Sequence, residues 1–83
     1  MAEKMVGKVT HYYTRIGVAA VELSDQLKLG DTIRILGHTS DFEQVVRSMQ
    51  LKHEDIAIGQ AGQSIGLEVA ERVRRGDKVF KLT

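Results

Sequence analysis

Glu22 to Leu36 reads ELSDQLKLGDTIRIL, and Glu68 to Leu82 reads EVAERVRRGDKVFKL. Aligned without a gap, Glu22/Glu68, Gly30/Gly76, Asp31/Asp77 and Leu36/Leu82 are identical. Leu23/Val69, Asp25/Glu71, Leu27/Val73, Lys28/Arg74 and Ile33/Val79 are conservative. A Gly-Asp pair followed by alternating β-branched residues describes a turn that feeds a strand. Its appearance twice predicts a small all-β cylinder with internal pseudo-symmetry. Two copies are too few for a solenoid, which needs about three stacked units.

Outward from these corners the rest of the chain also reads as strands. Met5–Tyr13 holds Val6, Val9, Thr10, Tyr12 and Tyr13, and Gly7 within it marks a bulge or a close backbone approach. Thr14-Arg15 turns into Ile16–Leu23, where Ala19, Val21 and Leu23 share one face and Val18, Ala20 and Glu22 the other. Thr32–Leu36 points Ile33 and Ile35 inward and Arg34 outward. Gly37–Asp41 is a polar turn, and Phe42–Leu51 a fourth strand. Lys52–Gly62 reads as a loop pinned by Ile56 and Ile58. Gln63–Ala70 and Asp77–Leu82 complete six strands. Val69 and Val73 also fit a short helix, but Gly76-Asp77 follows at once and favours strand and turn. The alignment sets Lys81 on the inward position of Ile35. Either Lys81 lies at the cylinder's end, or Phe80 and Leu82 carry the burial.

A chain of 83 residues makes one domain, residues 1–83, with a modest core. Net charge is +1, which argues against binding a polyanion by bulk charge alone. Cysteine is absent, which excludes disulfides and thiolate metal sites and favours a reducing compartment. No apolar run approaches the ~20 residues of a membrane span, and the first residues lack the apolar centre of a signal peptide. These features read as a cytoplasmic protein.

Three stretches carry a family resemblance: LKLGDTIRI (Leu27–Ile35), SMQLKHEDIAIGQAGQSIGLEV (Ser48–Val69) and Arg75–Val79, RGDKV. In order and separation they resemble the second, β-barrel domain of elongation factor Tu and elongation factor one-alpha. The matching residues in the middle stretch are Ser48, Gln50, Leu51, His53, Glu54, Gly62, Ile65 and Gly66. The resemblance implies an all-β, six-stranded closed β-barrel of the translation-factor second-domain type, standing alone without the GTPase. Similar barrels also occur attached to other proteins, including some collagenase-like peptidases. The family's G-R-V-x-x-G is absent; Ala20-Val21-Glu22-Leu23 stands there. In elongation factors a carboxylate and an asparagine help hold the terminal adenosine of aminoacyl-tRNA; those positions fall on Gln50 and Ser64. Gln50 keeps hydrogen-bonding capacity but has lost the charge.

No G-x-x-x-x-G-K-(S/T) occurs, so the chain has no nucleotide site of its own. Gly59, Gly62 and Gly66 read as turn chemistry. No G-x-S-x-G elbow surrounds any serine, and no acid/base pair follows from spacing. His11, His38 and His53 are dispersed, and His53-Glu54-Asp55 is a weak ligand set, so no metal or cofactor is expected. The resemblance suggests instead that His53 ties its loop to the barrel. Arg72, Arg74, Arg75, Lys78 and Lys81 crowd into ten residues opposed only by Asp77. Such a run can meet phosphates; its plainer reading is a solvated turn balanced by Glu68 and Glu71. Tyr12, Tyr13 and Phe80 are candidate stacking groups.

The sequence thus points to a protein that is no enzyme: a translation-related module that binds RNA or the ribosome, or acts with a translation factor. Arg72, Arg74, Arg75 and Lys78 would contact phosphates, with Gln50, His53 and Ser64 near a base or sugar. The alternative is a protein–protein interaction or assembly module, which suits the near-neutral charge.

Overall fold

The structure, a computed structural model, describes residues 3–82. Ten strands follow one another: β1 (Glu3–Tyr13), β2 (Val18–Leu23), β3 (Leu27–Lys28), β4 (Thr32–Leu36), β5 (Asp41–Val45), β6 (Met49–Leu51), β7 (Glu54–Ile56), β8 (Ile58–Gly59), β9 (Ser64–Glu68) and β10 (Lys78–Leu82). Eight form one antiparallel sheet in the order β5-β4-β10-β1-β2-β9-β6-β7, and β3 pairs with β8. No helix occurs among the described residues, so none is long and apolar enough to cross a membrane. The fold is all-β, as the alternation predicts.

The expected closed barrel of six strands is corrected: the sheet is open, with β5 and β7 at its edges. The chain departs from the expectation between Phe42 and Leu51. Val46 is drawn out of line, giving its N–H to the Asp31 carbonyl (2.8 Å) and accepting the N–H of Gly30 (2.9 Å). That detour splits the expected strand into β5 and β6. The expected loop Lys52–Gly62 contains β7, hairpinned on β6, and β8 on β3. Only Ile56 of its two isoleucines packs against the core; Ile58 is exposed. The β5 edge is nevertheless covered. The Gln44 side-chain amide donates to the Glu68 carbonyl (2.8 Å) and accepts the Ala70 N–H (2.7 Å), replacing a missing pair of ladder bonds.

The repeated corners are built alike. Gly30 and Gly76 have φ of 90° and 96°, the left-handed region that glycine enters without steric cost. Asp31 Oδ2 accepts the N–H of Lys28 (2.9 Å), and Asp77 Oδ2 that of Arg74 (3.0 Å). Each corner also clamps a buried valine by two backbone bonds, Gly30-Asp31 on Val46 and Gly76-Asp77 on Val9. The registers Ile35↔Val79 and Ile33↔Lys81, with Val18↔Glu68 and Glu22↔Ser64, make the two copies exchange under a local two-fold axis.

The core follows the alternation of the strands. Ala19, Val21, Leu23, Ile33, Ile35, Ile65, Leu67 and Val79 are buried, joined by Leu27 and Val73 beneath the two corners. Lys81 escapes its inward position at the end of β10, where its Nζ donates to the Gln26 carbonyl (3.3 Å). Gly7 sits at a bulge in β1, and a Cβ there would lie 2.7 Å from Val21 Cγ1.

On the outer face Arg34 forks onto Asp41 (Nε–Oδ1 2.8 Å, Nη2–Oδ2 3.0 Å) and reaches Glu3 (3.1 Å). The Arg34 hydrogen bonds hold the Asp41 carboxyl below its ordinary range. A lowered folded-state value favours the fold at pH above the ordinary carboxylate range, and that contribution is lost as pH falls through the lowered value. In Arg34→Met the Asp41 carboxyl is expected to titrate higher than in the parent, back toward the ordinary carboxylate range, read by NMR of the side-chain carbonyl. An unchanged midpoint would show that the guanidinium is not its cause.

Candidate functional site

The outer face of β2, β9 and β6 carries a row of small side chains. Ala20, Gly66 and Gln50 are register partners across the three strands. A Cβ on Gly66 would come within 3.3 Å of Val18 Cγ1, so its absence leaves a depression in the sheet surface. Two hairpin ends wall this depression. On one side the β1–β2 turn presents Tyr13 and Ile16, and on the other the β6–β7 turn presents Lys52 and His53. The result is an open trough of about 320 Å³, with Val18, Ala20 and Gly66 in its floor and Gln50 and Ser64 along it.

Each wall has a local cause. In the β1–β2 turn the Tyr13 carbonyl accepts the N–H groups of both Ile16 (3.3 Å) and Gly17 (3.0 Å), which fixes the tip. Ile16 is 68% exposed there and Tyr13 is 48% exposed. The His11 and Tyr13 rings meet edge to face with centroids 4.5 Å apart, which orients the tyrosine. The β6–β7 turn has only Lys52 and His53 between the paired residues Leu51 and Glu54. Both lie in the left-handed region, with φ of 51° and 67°. A two-residue hairpin of type I′ has positive φ at both centres and normally uses Asn-Gly. Lysine and histidine there cost about 1–2 kcal/mol each, the kind of strain that collects at working sites. Gln50 Nε2 donates to Asp55 Oδ1 (3.1 Å), bracing the hairpin across its strands.

The structure divides the residues singled out from sequence. Gln50, His53 and Ser64 converge on the trough. Arg72, Arg74, Arg75 and Lys78 do not line it. They are exposed in and beside the β9–β10 connection, whose backbone is held by Asp77 and by Ser40 Oγ on the Arg72 carbonyl (3.4 Å). Lys78 starts β10 opposite Lys8. His53 does not tie a loop to the sheet; strand pairing of β7 does that, and the imidazole is left exposed. Of the aromatic candidates, Tyr13 reaches the trough, while Tyr12 packs against the core and Phe80 sits in β10 between Arg34 and Met5. Among the described residues no group of three or more His, Cys, Asp or Glu side chains is placed to hold a metal ion. Sequence reading missed Ile16, Val18, Ala20 and Lys52, and it read Gly66 as turn chemistry, whereas Gly66 lies within β9. Only the outward alternation of Val18 and Ala20 signalled any of them.

No family model matches the sequence. An uncharacterized protease of Methanocaldococcus jannaschii is 42% identical over 78 residues, covering 93% of this chain and 19% of the protease. A collagenase of Porphyromonas gingivalis is 36% identical over 78 residues, covering 92% of this chain and 22% of the collagenase. The chain therefore spans about a fifth of the length of these curated relatives. The crystal structure of the C-terminal domain of a candidate U32 peptidase from Geobacillus thermoleovorans superposes with a TM-score of 0.89 at 18% identity, covering 96% of this chain and 93% of that domain. Its selenomethionine variant gives 0.87. At that identity the likeness shows the fold alone.

These relatives overturn the expected kinship with elongation factors and, with it, the translation-related role. They bear the names of hydrolytic enzymes, and that finding stands against the reading of the chain as no enzyme. The physical reason is visible in the corners. L-K-x-G-D and R-G-D-x-V report a capped left-handed turn, and any sheet turning the same corner needs the same residues. The shared motif describes backbone geometry and carries no information about ligand.

Proposed function

We propose that this chain is a substrate-handling domain of a peptidase-type protein and binds an extended polypeptide in the trough over β2, β9 and β6. The observation that carries this reading is the pairing of the two comparisons. Nearly the whole chain aligns with a small part of proteins named protease and collagenase, and its fold is that of a peptidase's C-terminal domain. A unit shared in this way is a module that works alongside a larger body.

The trough suits the task. An extended chain lays alternate side chains on a surface, so it needs a shallow, partly apolar channel with hydrogen-bonding groups along it. Tyr13, Ile16 and Val18 supply the apolar contact; Gln50 and Ser64 supply the polar one. Ile16 projects from a fixed hairpin tip, so it meets a ligand with little ordering cost.

The test is a titration of isotope-labelled protein with an unstructured peptide blocked at both ends. Amide shifts are expected at Tyr13, Ile16, Val18, Ser64 and Gly66. Ile16→Ser removes exposed apolar surface without touching the core, and is expected to weaken binding about five- to tenfold, the equivalent of about 1 kcal/mol. Absence of shifts at millimolar peptide, or shifts confined to Arg72–Lys78, would overturn the reading.

A further inference from the structure

We infer that the Lys52–His53 end of the trough captures the terminal carboxylate of a polypeptide, with the last apolar side chain laid against Tyr13, Ile16 and Val18. This rests on the polypeptide-binding reading above and gives the bound chain an end and a direction.

The charge distribution carries it. Lys52 brings an ammonium to the trough and Ser64 a hydroxyl, and no carboxylate is in the lining; the Gln50 amide N–H is already given to Asp55 (3.1 Å). Glu22 lies across Ser64 in the next row, but its cross-strand neighbour on the far side is Lys8, which supplies an opposing charge away from the trough. Asp55, the hairpin partner of Gln50, is a carboxylate on the β6–β7 side, so an anion is received where Lys52 and the Ser64 hydroxyl meet the trough. A mid-chain peptide group brings no charge to that point and gains less from Lys52. Charge-assisted hydrogen bonds are about twice as strong as neutral ones.

The backbone supports the same assignment. A turn of this kind folds most easily as Asn-Gly, yet here it holds Lys52 and His53, both with positive φ. The strain is kept together with two side chains that bind anions. Because the turn has no slack beyond two residues, the cation's base is fixed at one end of the depression. The distance from that end to the Ile16 tip is spanned by the floor of Val18, Ala20 and Gly66, where small side chains leave space for the terminal residue. The ligand class is therefore a polypeptide ending in an apolar residue with a free carboxylate, the chemical form of a chain newly cut on its carboxyl side.

The experiment compares two peptides, N-acetylated hexapeptides ending in leucine, one as free acid and one as amide. The acid is expected to bind about tenfold tighter and to shift the Lys52, His53 and Ser64 amides. Lys52→Gln is expected to remove that difference by weakening the acid peptide about tenfold, toward the affinity of the amide. Raising salt is expected to weaken the acid alone. Equal affinity of acid and amide, with shifts in the trough, would overturn carboxylate capture and leave the polypeptide reading standing. If neither peptide shifts the trough, both fall. A Lys52→Gln variant that still prefers the acid would likewise overturn the assignment to this turn.

Discussion

Gly37→Ala is expected to cost about 3 kcal/mol, a large share of the roughly 4–12 kcal/mol available to a domain of this size. A Cβ on Gly37 would stand 1.9 Å from Asp77 Oδ1 and 2.4 Å from its Cγ, so Asp77 must move. It has nowhere inexpensive to go. Asp77 is 4% exposed, its Oδ2 caps Arg74, and its backbone bonds to both Val9 and Arg74. Displacing the carboxylate leaves the Arg74 N–H without its partner and loosens the clamp on Val9. With a urea slope near 1 kcal/mol/M, the unfolding midpoint is expected to fall by about 3 M. Gly30→Ala is the control. Nothing lies within 4 Å of its missing Cβ, and only its φ of 90° opposes a side chain. It is expected to cost about 1–2 kcal/mol. If the two substitutions cost the same, Asp77 is not wedged against Gly37.

Leu27→Ala is expected to cost about 3 kcal/mol and Val73→Ala about 2 kcal/mol. The two side chains occupy equivalent places beneath the two corners, and both are buried to within 1%. The difference reflects one methylene fewer lost at Val73. The two costs together, about 5 kcal/mol, take a large share of the roughly 4–12 kcal/mol available, so the double variant is expected to lose much of its strand signal in far-ultraviolet circular dichroism at 37 °C. A double variant that keeps a cooperative melt above 50 °C would show that the corners are not the supports the structure makes them.

These two results concern the part of the molecule that the sequence announced. Gly30-Asp31 and Gly76-Asp77 were legible because a left-handed residue and its capping carboxylate demand particular side chains. The inward faces of β2 and β4 were legible because burial imposes a period of two. Closure was not. Whether β5 meets β9 as a ladder depends on Val46 leaving its line and on Gln44 filling the interval, and both are tertiary bonds with no local signature. The trough was half legible. Gln50, His53 and Ser64 were picked out through a resemblance that misjudged the role, and they nonetheless converge on one surface. Ile16 and Lys52 are defined by exposure and by backbone sign, and neither property repeats along a sequence. The basic run drew attention by composition alone, and the sheet sets it apart from the trough.

Glu3 and Leu82 face each other as register partners at the margin of the β1–β10 pair. The polypeptide thus enters and departs at a single point on the surface. A longer chain passing through such a unit would have its course interrupted over only one strand spacing, as by a pendant hung from a cord.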